Sequence, residues 1–292
     1  MSRPFEVLFP VDFSEHDFRA IPWVAQLMDS LEARLTLLHV RSPSDDALLA
    51  QERLHSFFAE SHRYPRCERV VMEGSLVEAV ESRCARQTID LLVLPASEPV
   101  WLPRLGHESA RLACLERTAV PLWTFAPGLN PARLHLPTRN VACWVDLHDS
   151  HHVQLEAAAQ FAKAHGAQLH VLCALPEVTI PVVLDESIPL HPEAAAEHLL
   201  AAVADPGLSP RVLVAEQDDA RERRRLLHQC NADVVFVAEP ERPILEWLGA
   251  RPHWFHEAAA PVMIIPAARR PEWMLQPRRA APRPAPALQR AG

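Results

Sequence analysis

The stretch Val7-Leu8-Phe9-Pro10-Val11-Asp12 has a counterpart 134 residues later, Val141-Ala142-Cys143-Trp144-Val145-Asp146. The correspondence continues without a gap to Leu35-Thr36-Leu37-Leu38-His39-Val40 and Leu169-His170-Val171-Leu172-Cys173-Ala174. It pairs Ala25 with Ala159 and Ala33 with Ala167 on the way. Two further echoes follow: Asp90-Leu91-Leu92-Val93-Leu94 with Asp233-Val234-Val235-Phe236-Val237, and Val120-Pro121-Leu122 with Ala260-Pro261-Val262. Solenoid repeats recur every ~20–50 residues. A period this much longer means two whole domains of one fold.

Between the echoes, short runs of Val, Leu and Ile alternate with longer amphipathic segments, the pattern of a parallel sheet covered by helices on both faces. In the first half strands are expected near 5–11, 35–40, 67–72, 90–94 and 121–126, and helices near 15–31, 44–60, 75–87 and 108–118. In the second half strands are expected near 140–145, 168–174, 211–215, 233–237 and 262–265, with helices near 150–165, 192–204, 218–230 and 252–260. Ser14 and Ser75 suit N-caps, the latter with Glu78 completing a capping box. The division is 1–130 for the first domain, 131–138 for a linker, 139–267 for the second domain and 268–292 for a tail.

A chain of 292 residues suits two such domains, since a domain commonly takes roughly 100–200 residues. No run reaches the ~20 apolar residues of a membrane span, and the charged residues scattered through the first thirty positions exclude a secretory signal. The six cysteines contain no CxxC, which fits reduced thiols and a cytoplasmic protein. Cys143 and Cys173 fall within expected strands, as small apolar groups. The tail carries six arginines against Glu272, a composition typical of disorder. Its net +5 leaves −13 on the body out of a formal −8 overall, which argues against nucleic acid as the main partner.

Lys163 is the only lysine, and no two of the seven glycines lie within ten positions of each other. P-loop and dinucleotide fingerprints are therefore excluded. There is no GxSxG nucleophile elbow. His148, His151 and His152 beside Asp146 and Asp149 lack a second ligand pair with structural-zinc spacing, so no metal is assigned.

Pro10-Val11-Asp12-Phe13-Ser14-Glu15-His16, Leu37-Leu38-His39-Val40, Glu73-Gly74-Ser75, Ile89-Asp90-Leu91-Leu92-Val93 and Ala119-Val120-Pro121-Leu122 together resemble the universal stress protein family. No one of these motifs is specific; their order and spacing, twice over, carry the resemblance to about Ala267. It implies two tandem flavodoxin-like, Rossmann-like domains of the adenine nucleotide alpha hydrolase-like type, each with a five-stranded parallel sheet. It also implies an internal pseudo-dimer. The last strands, near 121–126 and 262–265, are the edges expected to meet, because edge strands carry unpaired backbone groups.

Members of that family that bind ATP carry a GxxG loop, nine residues, and Gly-Ser or Gly-Thr after the fourth strand. Its glycines let the backbone approach phosphate and offer N–H donors. Here Pro95, Glu98 and Glu108 stand at the three glycine positions, followed by Ser109. Pro95 has no N–H to offer. Each glutamate opposes a phosphate charge by about 3 kcal/mol at ~5 Å and an effective dielectric near 20. In the second half Ala238 and Glu241 replace the first two glycines, and Gly249 is isolated. The resemblance matches Asp12 and Asp146 to the adenosine-side aspartate and Val40 to an adenine-lining position. An aspartate after a first strand also serves simply to cap the next helix. The segments around Trp101 and Trp247 are expected to cover the cleft or to present a surface, and Glu98, Glu108, Glu239 and Glu241 to form a solvated rim.

The expectation is a non-enzymatic stress-response or regulatory protein that acts by binding a protein partner, or a small ligand in the cleft at the strand C-termini. No cofactor is expected. One alternative is an adenine-nucleotide sensor holding ATP or AMP through Asp12, Val40, Ser109 and Asp146, with at most slow hydrolysis. Another is a scaffold recruiting a partner through the tail; a homodimer of the whole chain is left open.

Overall fold

The structure is a computed structural model that describes residues 3–31, 33–63, 66–95, 110–125, 129, 138–147, 153–175, 191–203, 207–238 and 260–266. Its first half runs β1 (Glu6–Val11), α1 (Glu15–Leu31), β2 (Arg34–Arg41), α2 (Ala47–Ser56), a 3-10 turn (Ala59–Arg63), β3 (Cys67–Glu73), α3 (Leu76–Arg86), β4 (Leu91–Val93), α4 (Ala110–Thr118) and β5 (Leu122–Thr124). The second half runs β6 (Asn140–Trp144), α5 (Val153–His165), β7 (Gln168–Ala174), α6 (Pro192–Ala202), β8 (Arg211–Ala215), α7 (Ala220–Gln229), β9 (Val234–Ala238) and β10 (Val262–Ile265). The expected last helix near 252–260, the loops holding Trp101 and Trp247, His148, His151, His152, and the tail lie outside the described residues.

Among the described residues the strands form one sheet in the order β3-β2-β1-β4-β5-β10-β9-β6-β7-β8. All pairings within each half are parallel. The halves join through one antiparallel pair, β5 with β10, in which Met263 faces Trp123. These are the two edges the sequence pointed to. Within a half the order 3-2-1-4-5 is the Rossmann winding rather than the 2-1-3-4-5 of flavodoxin, a distinction periodicity cannot make. The chain reverses direction across the sheet between β1 and β4, and again between β6 and β9.

Strand residues alternate between two cores, as a period of two requires. Val7, Phe9, Leu35, Leu37, Val141, Cys143, Leu169 and Val171 face the layer that holds α1, α2, α5 and α6. Leu8, Leu38, Ala142 and Leu172 face the layer of α3, α4 and α7. Burial on both faces explains why the strands read as continuous apolar runs. Cys143 and Cys173 are buried, and burial pushes the Cys173 thiol up to about 12 and that of Cys143 upward as well. They are packing groups, as their place in the strands suggested.

The second echo has a structural cause. The Asp90 carboxylate accepts the Glu6 N–H at 2.9 Å and a bidentate pair from Arg3 at 2.7 and 2.6 Å. The Asp233 carboxylate accepts the N–H groups of Arg139 and Asn140 at 2.8 and 2.9 Å. Each aspartate also donates its own N–H to the carbonyl of the first residue of the adjoining strand, Glu6 or Asn140, at 2.9 Å. Both therefore pin the register at the entrance of β1 or β6, and neither belongs to the ligand end of the sheet.

Helix starts follow sequence. Ser75 accepts the Glu78 N–H at 3.3 Å, Asp46 accepts those of Leu48 and Leu49, and Asp219 accepts that of Glu222. Pro192 opens α6, where no N–H is needed. The stretch expected as one helix over 44–60 instead breaks at Phe57. Arg69 on β3 draws off the carbonyls of Leu54, Phe57 and Phe58 at 3.1, 3.5 and 3.4 Å, and Phe58 takes φ 52°. The break turns Phe57 inward.

Candidate functional site at the strand ends

In an open parallel sheet the ligand crevice lies beyond the strand C-termini, at the point where strand order reverses. In the first half that point is the turn Asp12-Phe13-Ser14 between β1 and α1. Asp12 and Val40 come together there, since the register pairs Val11 with His39. Asp12 is exposed, while Val40 is half-buried against the α3–α4 core. Asp146 occupies the matching place in the second half, exposed beyond β6. Ser109 lies outside the described residues.

The turn is tied down by carboxylates. Asp12 Oδ1 accepts the Ser14 N–H at 2.8 Å. Asp17, buried in the first turn of α1, accepts through Oδ2 the N–H groups of Asp12 at 2.7 Å and Phe13 at 3.0 Å. The Ser14 carbonyl receives the N–H groups of Asp17 and Phe18 and so starts the helix. Asp12 thus forms the turn just ahead of α1, bonded to Ser14 rather than to the first-turn amides that a helix cap would hold. Its carboxyl and that of Asp17 lie close enough for each to perturb the ionisation of the other. Burial, reinforced by the bond to Asp12 and its charge, pushes Asp17 up to about 8. Partial burial works to raise Asp12, but hydrogen bonds from Asp17 and Ser14 outweigh it and hold it below the usual range.

Phe13 sits at φ 64°, a left-handed conformation that costs a non-glycine residue roughly 1–2 kcal/mol. Its surroundings show what that conformation achieves. The Phe13 ring lies 4.5 Å from the His39 ring and 5.8 Å from Phe57, with the Arg53 guanidinium 4.6 Å above it. Phe57 in turn meets Phe9 at 6.1 Å and Phe18 at 5.0 Å. His39 Nδ1 lies 2.9 Å from the Val11 carbonyl, which fixes its ring. An aromatic roof thus stands over the ends of β1 and β2, beside the residue that resemblance matches to an adenosine contact. Next to it Arg41 pairs with Glu73 and donates to the Asp45 carbonyl at 3.0 Å, closing the loop after β2.

The second half has different material. Leu147, which is buried, follows Asp146 where Phe13 follows Asp12, and the repeat sets Cys173 at the His39 position. Arg223 of α7 lies 5.4 Å over the Trp144 ring and pairs with Asp218. Among the described residues no group of three or more His, Cys, Asp or Glu could hold a metal ion. No described helix is long and apolar enough to cross a membrane.

Sequence reasoning named Asp12 and Val40, which the fold brings side by side, but did not name Asp17, Phe57 or Arg53. A signal for Asp17 existed: a second carboxylate in the first helical turn, five residues after the strand-end aspartate. Phe57 and Arg53 have none, because helix periodicity runs through them.

No protein-family model matches the sequence, and no curated protein matches it. Solved structures do. A universal stress protein from Archaeoglobus fulgidus superposes with a TM-score of 0.65 at 15% identity, over 89% of this chain and 96% of that one. A putative universal stress protein from Pseudomonas aeruginosa gives 0.58 at 16% identity, over 93% and 98%. The cytoplasmic domain of a prokaryotic cation chloride cotransporter gives 0.54 at 13% identity, over 94% and 100%. At these identities the likeness is one of fold. The chain has the universal stress protein fold, carried in two halves over nearly its full length.

Proposed function

We propose that this protein is a non-enzymatic regulatory protein of the stress-response type, which acts by binding rather than by turning over a nucleotide triphosphate. One observation carries the reading: the crevice of the first half is roofed by Phe13, His39, Phe57 and Arg53, while Pro95 stands directly after β4 where a phosphate loop needs a backbone N–H. A roof of aromatic and cationic groups suits a flat or apolar partner group. It supplies no cradle of main-chain donors for a triphosphate. In sequence, Glu98 and Glu108 replace two further glycines of that loop, where a carboxylate opposes phosphate.

The test is a thermal shift series with ATP, ADP and AMP at millimolar concentration, with and without Mg²⁺. The proposal expects no shift for any of the three. Ligand that binds only the native state raises the melting temperature by mass action, so a rise with ATP of several degrees would overturn it.

A further inference from the structure

We infer that β8, the outer strand of the second half, is the docking edge for a second copy of this chain, joined by antiparallel pairing about Leu213. This docking does not depend on what either crevice binds.

The sheet has two outer strands, β3 and β8, and among the described residues each pairs on one side only. They are built differently. β3 carries Glu68, Arg69 and Glu73. Arg83 holds Glu68 at 2.8 Å, Arg41 holds Glu73, and Arg69 engages the end of α2. Charges along an outer strand keep its open backbone from pairing with other chains. β8 lacks that guard past its first residue, since Arg211 is followed by Val212-Leu213-Val214-Ala215. Val212, Leu213 and Val214 are only half-buried, whereas the residues that face them on β7, Val171 to Cys173, are buried. On α6, which lies in the layer over this edge, Leu200 is 44% exposed.

Contacts with β7 fix which groups face outward. The Ala215 carbonyl accepts the Leu175 N–H at 2.9 Å, so the main chain of Ala215 is turned toward β7. Direction alternates along a strand, so Arg211 and Leu213 turn the same way, while Val212 and Val214 aim their N–H and C=O groups outward. A two-fold axis perpendicular to the sheet, between Leu213 of one copy and Leu213 of the other, sets Val212 opposite Val214 of the second copy and the reverse. Residues so placed exchange both N–H···O bonds of an antiparallel ladder. The same register sorts the side chains. Val212 and Val214 meet on the face of α5 and α6, and Leu213 meets its own copy on the face of α7. Arg211 lies across from Ala215, which is small enough to leave it room, and the two arginines stay at opposite ends. Pro210, which has no N–H to add, ends the ladder. The edge is therefore complementary to itself. The chain already joins equivalent strands in this way, since β5 and β10 pair antiparallel about Trp123 and Met263.

The experiment is sedimentation velocity on the full chain from low to high micromolar concentration, for wild type, Leu213→Lys and Leu48→Lys. Wild type is expected to sediment as a dimer of the 32.7 kDa chain. Leu213→Lys brings two ammonium groups face to face on the axis and is expected to be a monomer at the same concentrations. Leu48→Lys alters a leucine of α2 that is 73% exposed at the opposite end of the sheet, and is expected to stay dimeric. A wild-type monomer throughout, a dimer that survives Leu213→Lys, or one dissolved by Leu48→Lys would each overturn the assignment. If Leu213→Lys fails to fold, amide hydrogen exchange on wild type decides. The Val212 and Val214 amides should gain protection as concentration rises, while that of Leu213, turned toward β7, stays equally protected. Val212 and Val214 amides indifferent to concentration would overturn it.

Discussion

The two halves share a winding, a register pin and a seam, yet among the described residues they differ at most side chains that meet the axis between them or the strand ends. At the axis Trp123 of β5 faces Met263 of β10, and the repeat makes these two residues equivalents of each other. Trp123 stacks on Trp23 of α1 with ring centroids 3.9 Å apart and planes at 15°. The counterpart of Trp23 is Ala157. At the strand ends the first half carries Asp12, Phe13, Asp17 and His39, where the repeat in sequence sets Asp146, Leu147, His151 and Cys173. Backbone hydrogen bonding and burial are what a duplicated sheet must keep. The axis and the crevice mouth are where the copies were free to diverge, and the divergence gives the first half an aromatic mouth with a buried carboxyl beneath it.

The largest expected effect lies at the axis. Trp123→Ala removes a fully buried ring and its stacking partner's contact and should cost about 3–5 kcal/mol in denaturant unfolding. Met263→Ala should cost less, toward the lower end of about 2–5 kcal/mol, because it removes a smaller buried side chain with no ring to stack. Equal losses would remove the asymmetry. Next comes the pH dependence of stability. The folded state holds a proton on Asp17 that the unfolded chain has given up above the usual carboxylate range. Asp17 therefore stabilises the fold most in acid, and its contribution falls as pH rises toward about 8 and then levels. The slope is at most about 1.4 kcal/mol per pH unit for one proton. Subtracting an Asp17→Asn curve from that of wild type isolates it, and a flat difference would contradict the assignment.

The register pins should differ by less. Asp90→Ala removes the acceptor of the Glu6 amide and of the Arg3 guanidinium and should cost about 2–3 kcal/mol; Asp233→Ala releases two main-chain amides nearer solvent and should cost about 1 kcal/mol. Chemical unfolding of the two variants side by side checks the order. The smallest effect is at the roof: Arg53→Ala gives up a cation–π contact worth about 0.5–1 kcal/mol and should lower the melting temperature slightly.

Much of this was legible in the sequence for definite reasons. The 134-residue echo located β1, α1, β2 and their counterparts, because parallel strands buried on both faces read as apolar runs. Edge-strand logic picked out β5 and β10 as the seam. The repeat also exposed Asp90 and Asp233, though not their task, which depends on amides more than eighty residues away. The roof was hidden for a related reason. Phe13, His39 and the Arg53–Phe57 end of α2 come from separate elements, and the helix that delivers Phe57 ends because Arg69 of β3 takes its carbonyls. A tertiary contact overrode local periodicity there. Asp17 was legible as a residue but not as a partner of Asp12, since its pairing exists only once the turn has closed.

Centrally, we propose that the sheet was kept in both halves while the seat for a triphosphate was not. It is tested most directly by denaturing freshly purified protein and assaying the released supernatant for nucleotide by anion-exchange chromatography. The account predicts no nucleotide in stoichiometric amount. One ATP per chain, or one per half, would contradict it.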